Sequence, residues 1–517
     1  MLARLRLIAL VLLALAAVSL LSVYSYGRFA ERVQGPASQA LPADRIDSPL
    51  DRAIAPMTQA HPGASGLSLI ADNLDAYAVR AISARGAGRS LDLQYYIWKQ
   101  DITGALLIHE LLKAAERGVR VRLLLDDLNA HDKDSLLVAL DRHPNVEVRL
   151  FNPSRGRANS FGRGVEMLLR GVSLNRRMHN KAWIADGRVA VVGGRNVGDE
   201  YFGAASDTNF FDADLAVVGP AVAETSAIFD AFWNSRSAIP LEALVSSDDV
   251  SLERLRRMGE RHYASDYAMP YLRRLEQSPT VQALLRGDRE PHWTQQAHVY
   301  SDPPEKAEGA PRHDWLMDRL EPELAQARRR MDIISPYFVP GDEGVAALVR
   351  MRQRGVDVNI LTNSLAATDV SAVHGGYAPY RKPLLEGGVA LFELMPRGRQ
   401  QHSLFGSSGA SLHTKAVLVD EDRGFVGSMN LDPRSVNLNT EMGVVFRDRA
   451  LTDDLSEMFN AKAGPRDSYR VELQDGKLRW IDGSEQPARV WTREPEANFG
   501  RRAMARVIGW LPVESQL

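Results

Sequence analysis

Apolar residues recur along this chain with the spacings of strands and helices. From 90 to 98 they alternate with polar residues, which predicts a β-strand, whereas 103–118 has the spacing of an amphipathic helix. A strand pattern at 119–127, a shorter helical segment at 133–141 and a strand pattern at 146–153 follow. This alternation predicts a parallel sheet covered by helices, which is an α/β fold.

The same order of patterns returns in the second half. A strand pattern at 330–340 is followed by a helical segment at 343–355 and by strand patterns at 356–364 and 387–396. Two stretches of one chain that repeat the same order of elements indicate an internal duplication. We therefore predict two similar α/β/α domains related by a pseudo-twofold axis.

The chain begins with a long apolar stretch. Residues 7–26 carry no charge, with Arg6 before them and Arg28 after. About 20 apolar residues cross a bilayer as a helix, and Tyr24 and Tyr26 lie where interfacial aromatic residues are common. The sequence therefore predicts an N-terminal transmembrane helix or, as the alternative, a cleaved signal segment.

The predicted organisation has five parts, whose limits follow changes in composition. In chain order they are a membrane anchor or signal segment (1–27), a Pro-rich tether (28–62), a first domain (63–240), a helical connection (241–290) and a second domain (291–517) with a C-terminal hairpin (469–480) and helix (497–510).

Charge and cysteine content exclude several classes of protein. The chain has 63 Lys and Arg against 65 Asp and Glu, and this balance argues against a nucleic-acid-binding protein, which is usually strongly basic. It has no cysteine, so it has no disulfide, no thiol nucleophile and no cysteine-ligated metal site.

One polar pattern occurs twice at identical internal spacing. In "MHNKAWIADGRVAVVGGRN" and "LHTKAVLVDEDRGFVGSMN", a lysine follows two residues after a histidine, an aspartate seven after, a glycine fourteen after and an asparagine seventeen after. The two copies lie 234 residues apart (413 minus 179). The residues that repeat are His179, Lys181, Asp186, Gly193 and Asn196, and then His413, Lys415, Asp420, Gly427 and Asn430.

This pattern suits chemistry on a phosphodiester. We expect each His-x-Lys pair to lie in a strand with both side chains on one face, and the two pairs to converge on one pocket. The lysines would hold the anionic oxygens while one histidine attacks phosphorus and the other protonates the departing alkoxide. This chemistry needs no metal or cofactor. A zinc site made by His179 and His413 is the alternative, but the adjacent lysines would repel a cation.

Small and amide residues beside the motifs are candidates for phosphate binding. The Gly193–Gly194 and Gly427–Ser428 pairs would let the backbone approach a phosphate closely. Asn196, Asn430 and the Ser428 hydroxyl would donate further hydrogen bonds to it.

The duplicated motif, His-x-Lys-x4-Asp-x6-Gly-[Gly/Ser]-x-Asn, resembles the signature of the phospholipase D superfamily. The resemblance covers about residues 63–517, and segments such as "LDLQYYIW" and "FVGSMNLDPRS" look most like bacterial cardiolipin synthases of the C-type branch. It implies two phospholipase D-like domains with a shared active site and transfer of a phosphatidyl group to phosphatidylglycerol. It also implies phospholipid substrates, phosphatidylethanolamine as the donor, and a bacterial inner-membrane location with the catalytic body on the periplasmic side.

The resemblance also assigns roles to single residues. One of His179 and His413 is the nucleophile and the other the general acid; we favour His179 as nucleophile. Asp186 and Asp420 match motif aspartates that mainly support the fold. Among residues that orient the histidines, Glu441 is expected to serve the second histidine, and either Asp212 or Asp214 the first.

Other readings stay open at this stage. Arginines and apolar residues in 152–177 predict either a membrane-contacting helix or an ordinary packed one. Residues 397–411 predict a mobile loop beside the pocket, with His402 on the surface. The same site could hydrolyse phosphodiesters, and a non-catalytic lipid-binding scaffold is the remaining alternative.

Overall fold

The computed structural model describes residues 2–130, 134–156, 160–245, 250–396, 409–511 and 514–516. The predicted loop that carries His402 lies largely outside these residues. Helices and strands alternate through both halves of the chain, so the predicted α/β class is confirmed.

The first half builds one large sheet and most of the helices around it. Its strands are β1 (Ser65–Ile70), β2 (Ser90–Tyr95), β3 (Arg120–Asp126), β4 (Val146–Phe151), β5 (Ala182–Ala185), β6 (Val189–Gly193), β7 (Thr208–Phe211), β8 (Asp214–Val218), β9 (Ala238–Pro240) and β10 (His292–Thr294). Its helices are α1 (Leu2–Val33), α2 (Pro49–Ala60), α3 (Asn73–Gly86), α4 (Ile102–Glu116), α5 (Asp134–Asp141), α6 (Ser160–Leu174), α7 (Asp199–Phe202), α8 (Pro220–Trp233), α9 (Leu252–Tyr263), α10 (Met269–Gln277) and α11 (Pro279–Arg286).

The second half repeats this plan. Its strands are β11 (Ala297–Ser301), β12 (Arg330–Ile334), β13 (Asp357–Asn363), β14 (Ala390–Leu394), β15 (Gly409–Leu412), β16 (Ala416–Val419), β17 (Arg423–Gly427), β18 (Met442–Arg447), β19 (Ser468–Gln474), β20 (Lys477–Asp482) and β21 (Arg489–Trp491). Its helices are α12 (Glu305–Glu308), α13 (Leu316–Ala325), α14 (Gly341–Gln353), α15 (Ser371–Tyr377), α16 (Arg381–Glu386), α17 (Pro433–Asn437), α18 (Arg449–Ala463) and α19 (Phe499–Ile508).

Each half has the same strand order around a parallel centre. In the first sheet β2, β3 and β4 are parallel, and in the second β12, β13 and β14 are parallel, as predicted. The flanking hairpins β5–β6 and β16–β17 pair antiparallel with β2 and β12. The sheets are therefore mixed rather than wholly parallel, because each motif turns back tightly on itself instead of crossing over through a helix.

Helices cover the sheets in layers, and the described residues form three large apolar clusters and one small one. One cluster lies between the first sheet and the helices α3, α4 and α5. A second joins the inner faces of both sheets to α8 and α18, and a third lies under α13, α14 and α16. The two sheets thus share a common interior, which fixes the two halves relative to each other.

The motif aspartates tie each hairpin turn to the start of the neighbouring strand. Asp186 has a left-handed backbone (φ 54°) and accepts from the amides of Gly88, Arg89 and Ser90 at 2.9, 2.7 and 2.9 Å. Asp420 (φ 56°) does the same in the second half, accepting from the amides of three residues that lead into β12 (Arg328, Arg329 and Arg330). These contacts match the supporting role expected of both aspartates.

The N-terminal segment runs along the first half. α1 extends from Leu2 to Val33, yet none of the helices in the described ranges is long and apolar enough to cross a bilayer. The predicted transmembrane helix is therefore not confirmed. The segment predicted as a tether follows the body closely, because Ala40 N donates to Asp230 and Leu50 and Ala55 of α2 are buried.

Two short backbone ladders join the halves. β15 pairs in parallel with β7, which brings residue Leu412 opposite Phe211. Met178 forms a parallel bridge with Thr440. Each ladder ends at a motif histidine, so the ladders set where the two histidines lie.

Candidate active site

The two His-x-Lys pairs lie at the carboxyl edges of the central parallel strands. Ala182, next after Lys181, pairs with Gln94 near the end of β2, and Ala416, next after Lys415, pairs with Ile334 at the end of β12. The carboxyl edge of a parallel sheet is where α/β proteins usually bind ligands.

The spacing predicted that each His-x-Lys pair lies within a strand, but in the structure each pair directly precedes its strand. β5 begins at Ala182 and β16 at Ala416. The physical reason is that the backbone of each histidine bonds to the other half rather than to a neighbouring strand. His179 N donates to Thr440 O at 2.9 Å, and His413 N donates to Phe211 O at 2.8 Å.

Each histidine is hydrogen-bonded to a carboxylate from the opposite half. His179 Nδ1 lies 2.8 Å from Glu441 Oε2, and His413 Nδ1 lies 2.6 Å from Asp212 Oδ2. Glu441 follows Thr440 and Asp212 follows Phe211, so the residue before each carboxylate accepts the bond from the histidine backbone. Both carboxylates are fully buried.

This arrangement corrects the expected pairing. Glu441 was assigned to His413 and an aspartate of the first half to His179, whereas the structure exchanges them, because the ladders between halves bring each histidine to the other domain's carboxylate. Asp214 contacts neither histidine. It forms an ion pair with Arg80 at 2.9 Å and lies 3.5 Å from Arg195, inside the first half.

The carboxylates fix the tautomer of both histidines. A carboxylate at Nδ1 accepts the proton of that nitrogen and leaves the Nε2 lone pair free. Burial lowers the pKa of His179 to about 4, and Lys181 adds to this effect, although Glu441 opposes it. Burial and the charge of Lys415 also lower the pKa of His413. Both imidazoles are therefore neutral near pH 7 unless a bound anion raises their pKa.

Both lysines are buried with their ammonium groups beside the histidines. Lys181 Nζ donates to His179 O at 2.6 Å, and Lys415 Nζ lies 3.1 Å from His413 Nδ1. Burial lowers the pKa of Lys181 to about 7 and that of Lys415 to about 8, with Glu441 and Asp212 respectively opposing the shift. A bound anion would stabilise the protonated form of both lysines. The pair of ammonium groups therefore favours binding of an anionic ligand.

Ser428 and the glycine pairs have other partners than the expected phosphate. Ser428 Oγ donates to Glu441 Oε2 at 2.5 Å and accepts from Met442 N at 3.0 Å. A Cβ on Gly194, which occupies the matching position in the first half, would come within 2.3 Å of the Asp212 carboxylate. Ser428 therefore accommodates Glu441 by donating a hydrogen bond, and Gly194 accommodates Asp212 because it has no side chain.

The two motif asparagines differ. The side chain of Asn196 accepts from Ile97 N at 3.1 Å and donates to the Tyr201 hydroxyl at 3.0 Å, so it supports the loop that carries it. Asn430 is buried, and its Oδ1 has no hydrogen-bond partner among the described residues. Phosphate contact by either asparagine stays a prediction.

Aromatic rings that the sequence pattern did not predict pack against both imidazoles. Tyr96 lies edge-on to His179 with 5.1 Å between centroids. Phe210 stacks on His413 at 5.1 Å, and Tyr201 lies edge-on to it at 5.2 Å. The only signal in the sequence was that Tyr96 directly follows β2 and that Phe210 precedes Asp212 by two residues.

A cavity of about 590 Å³ lies next to Phe210, the ring that stacks on His413, although His413 itself does not line it. Phe210 lines it, together with polar residues that include Lys99, Glu200, Ser206 and Thr208. Over the described ranges, no group of three or more His, Asp or Glu side chains is placed to hold a metal ion.

Comparison with known sequences identifies the family. The family described as "Cardiolipin synthase, PLD-like domain" matches residues 82–233 and 320–463, one segment in each half and more than half of the chain in total. This chain belongs to that family. The membership expected from the duplicated motif is thus confirmed, and both His-x-Lys pairs fall within the matched segments.

Members of the cardiolipin synthase family match along most of the chain. Cardiolipin synthase C of Escherichia coli (strain K12) is 41% identical over 472 residues, which cover 90% of this chain and 99% of that protein. Cardiolipin synthase B of the same organism is 26% identical over 448 residues, covering 86% and 90%. The family likeness therefore includes both halves and the connection between them.

A solved structure shares the fold. The crystal structure of phosphatidylserine synthase from Haemophilus influenzae Rd KW20 superposes with a TM-score of 0.54 and covers 95% of this chain and 100% of that one. The two sequences are only 12% identical, so this likeness concerns the fold alone.

Proposed function

We propose that this protein is a cardiolipin-forming phosphatidyltransferase that works through a phosphohistidine. One observation carries the proposal: two buried histidines, each held by a carboxylate from the opposite half, lie beside two buried lysines. Membership of the cardiolipin synthase family supports the same conclusion, as does the 41% identity to a cardiolipin synthase along nearly the whole chain.

The first step forms the phosphohistidine. Binding of the anionic phosphodiester favours protonation of His413 at Nε2, because the negative charge stabilises the imidazolium. Nε2 of His179 then attacks phosphorus of the donor phospholipid, the bond from phosphorus to the headgroup oxygen breaks, and protonated His413 gives that oxygen its Nε2 proton. Lys181 and Lys415 hold the anionic phosphoryl oxygens, whose negative charge keeps both ammonium groups protonated. The Glu441 carboxylate stabilises the positive charge that develops on the His179 ring.

The second step transfers the phosphatidyl group. His413, now neutral, takes a proton from a glycerol hydroxyl of phosphatidylglycerol, and that oxygen attacks phosphorus as the bond to His179 breaks. The leaving and the entering alcohol therefore occupy the same place beside His413. We keep His179 as nucleophile and His413 as acid and base.

The substrates and the location belong to the same proposal. Phosphatidylethanolamine is the proposed donor and phosphatidylglycerol the acceptor. Since both substrates and the product are membrane lipids, we place the protein at the bacterial inner membrane with its catalytic body on the periplasmic side.

Product analysis tests the function. The full-length protein in detergent is incubated with labelled phosphatidylglycerol, with and without phosphatidylethanolamine, and the lipids are separated. Cardiolipin is expected, and more of it when phosphatidylethanolamine is present. His179→Ala and His413→Ala serve as inactive controls.

Two results would overturn the proposal. Phosphatidic acid as the sole product would make the protein a hydrolase, because water would then be the acceptor. Full activity in either histidine variant would show that the observed site is not the active site.

A further inference from the structure

Helix α6 exposes its apolar side and buries its polar one. Phe161, Val165, Leu168 and Val172 follow the spacing of one helical face and are between 42% and 82% exposed. Ordinary surface helices do the reverse, because apolar side chains are stabilised by leaving water.

Polar contacts hold this helix against the body. Glu166 accepts from Ser154 Oγ at 2.7 Å and from Gly156 N at 2.9 Å, and it also forms an ion pair with Arg170. Arg170 and Leu174 on the same side are buried. The inner face is therefore fixed, and the outward apolar face is not an alternative packing of a loosely held helix.

Helix α19 presents a second apolar face. Phe499, Met504, Val507 and Trp510 are between 49% and 86% exposed, whereas Ala505 on the inner side is buried against α15. The helix carries arginines and no acidic residue. In α6 the only acidic residue is Glu166, whose charge is paired with Arg170.

Both faces lie at the edge of the sheets where the histidines are. α6 follows the carboxyl end of β4, and α15, which α19 packs on, follows the carboxyl end of β13. The C-terminal residues link the two regions, because Asn175 at the end of α6 donates to Gln516 at 2.8 Å. Arg434, four residues after Asn430 at the end of the second motif, also donates to Asn175.

Helix α1 runs beside α6. Ser19 Oγ donates to Leu169 O at 2.5 Å, and the guanidinium of Arg170 lies 3.3 Å from the centroid of the Tyr26 ring. Leu20, Leu21 and other apolar residues of this helix are exposed in turn. Apolar surface therefore continues from α6 onto α1.

We propose that these outward faces form a docking surface that sits in the interface of an anionic phospholipid bilayer, with the active-site edge turned toward the lipid. The docking surface is defined by Phe161, Val165, Leu168 and Val172 of α6 and by Phe499, Met504, Val507 and Trp510 at α19. The inference rests on the proposed function for its choice of lipid as partner. Both helices carry arginines, and the one acidic residue in them, Glu166, is paired with Arg170. Apolar faces on such helices suit anionic lipid rather than a soluble protein.

Single cysteines can test the docking surface, because the chain has none of its own. Leu168→Cys, Phe499→Cys and, as control, Arg354→Cys are made in full-length His179→Ala protein and labelled with a fluorophore. Arg354 is exposed and precedes the amino end of β13, at the edge opposite the histidines. The vesicles contain phosphatidylglycerol and phosphatidylethanolamine with a nitroxide quencher on the acyl chains.

We expect quenching at positions 168 and 499 and none at 354. Equal quenching at all three positions would overturn the docking surface. So would an absence of quenching at 168 and 499 in protein that is bound to vesicles, as when α1 alone holds the protein there. If the fluorescence of the labels at 168 and 499 changes with protein concentration in the absence of lipid, the docking surface is also overturned, since a second copy of the chain would then cover the face. Because the variant lacks His179, the result does not depend on turnover.

A paired substitution measures the consequence for activity. Leu168→Asp with Val172→Asp should lower turnover of vesicle lipid at least about tenfold more than turnover of a monomeric short-chain lipid. Met258→Asp with Val490→Asp is the matched control, because both residues are 46% exposed and lie on α9 and β21. Equal losses on both substrates would overturn the docking surface. Quenching as expected, without cardiolipin formation by the native protein, would refute only the proposed function.

Discussion

His179 and Glu441 are 262 residues apart in the chain and 2.8 Å apart in the fold. His413 and Asp212 repeat the relationship in the opposite direction at 2.6 Å. Each half therefore supplies the imidazole of one pair and the carboxylate of the other. Neither domain contains a complete histidine–carboxylate pair by itself.

Removing the charge of either carboxylate is expected to abolish most of the activity. Glu441→Gln and Asp212→Asn would present an amide to Nδ1, favour the wrong tautomer and remove the stabilisation of the imidazolium. We expect kcat to fall about ten-thousandfold in each variant, as when a histidine loses its orienting carboxylate in other enzymes. The measurement is cardiolipin formation at saturating lipid.

Asp214→Asn provides the control for these two variants. Its partners are Arg80 and Arg195, so it should lower the melting temperature while the folded fraction keeps its kcat. An Asp214→Asn protein that folds normally but is as inactive as Asp212→Asn would contradict the assignment.

A substrate with a good leaving group should distinguish the two histidines. A nitrophenyl phosphodiester needs no general acid, so His413→Ala should still form the covalent intermediate and accumulate it. His179→Ala should form none. Label on the protein that is lost in acid but survives base identifies the phosphohistidine, and accumulation in His179→Ala instead would reverse the roles.

Anion binding should weaken as the pH rises. Burial lowers the pKa of Lys181 to about 7 and that of Lys415 to about 8, below the ordinary lysine value. The protonated ammonium groups bind phosphate, so affinity is greatest below about pH 7 and declines as both protons are lost. Inhibition by inorganic phosphate measured from pH 6 to pH 9 checks this. An inhibition constant that does not change over this range would contradict the role of the lysines.

Ser428→Ala should reduce catalysis through Glu441. The change removes a hydrogen bond to a buried carboxylate and leaves Met442 N without its acceptor. A bond of this kind is worth enough to lower kcat about tenfold. Ser411→Ala is the matched control, because Ser411 is also buried but its hydroxyl has no partner among the described residues. Equal effects of both substitutions would refute a specific role for Ser428.

Asp186→Ala should act on stability. Three backbone amides would lose their acceptor at once, and we expect the free energy of unfolding to fall by about 3 kcal/mol. Denaturant unfolding measures the loss, and kcat per folded molecule should change little. A fully stable but inactive Asp186→Ala protein would instead place this residue in the chemistry.

The sequence predicted the content of the site better than its connections. The repeated spacing identified His179, Lys181, His413 and Lys415 because chemistry that needs two copies of a group leaves a repeat in the chain. It also predicted the parallel centres of both sheets, since buried strands and amphipathic helices have distinct periods.

The exchange of carboxylates could not be predicted in the same way. Which half supplies the partner of His179 depends on the ladder between Met178 and Thr440, and sequence patterns do not encode contacts between distant strands. The contact of Ser428 with Glu441 could not be predicted for a related reason. A small polar residue beside a motif looks the same in sequence whether it faces a phosphate or, as here, Glu441.

The backbone ladders between the halves limit how lipids reach the histidines. Many two-domain enzymes admit their substrates by rotating one domain away from the other about a hinge. Here such a rotation would break the bonds from His179 N to Thr440 O and from His413 N to Phe211 O, and both histidine–carboxylate pairs with them. Because opening the domains would dismantle the site, we expect lipids to enter and leave sideways along the sheet edge while the domains stay closed.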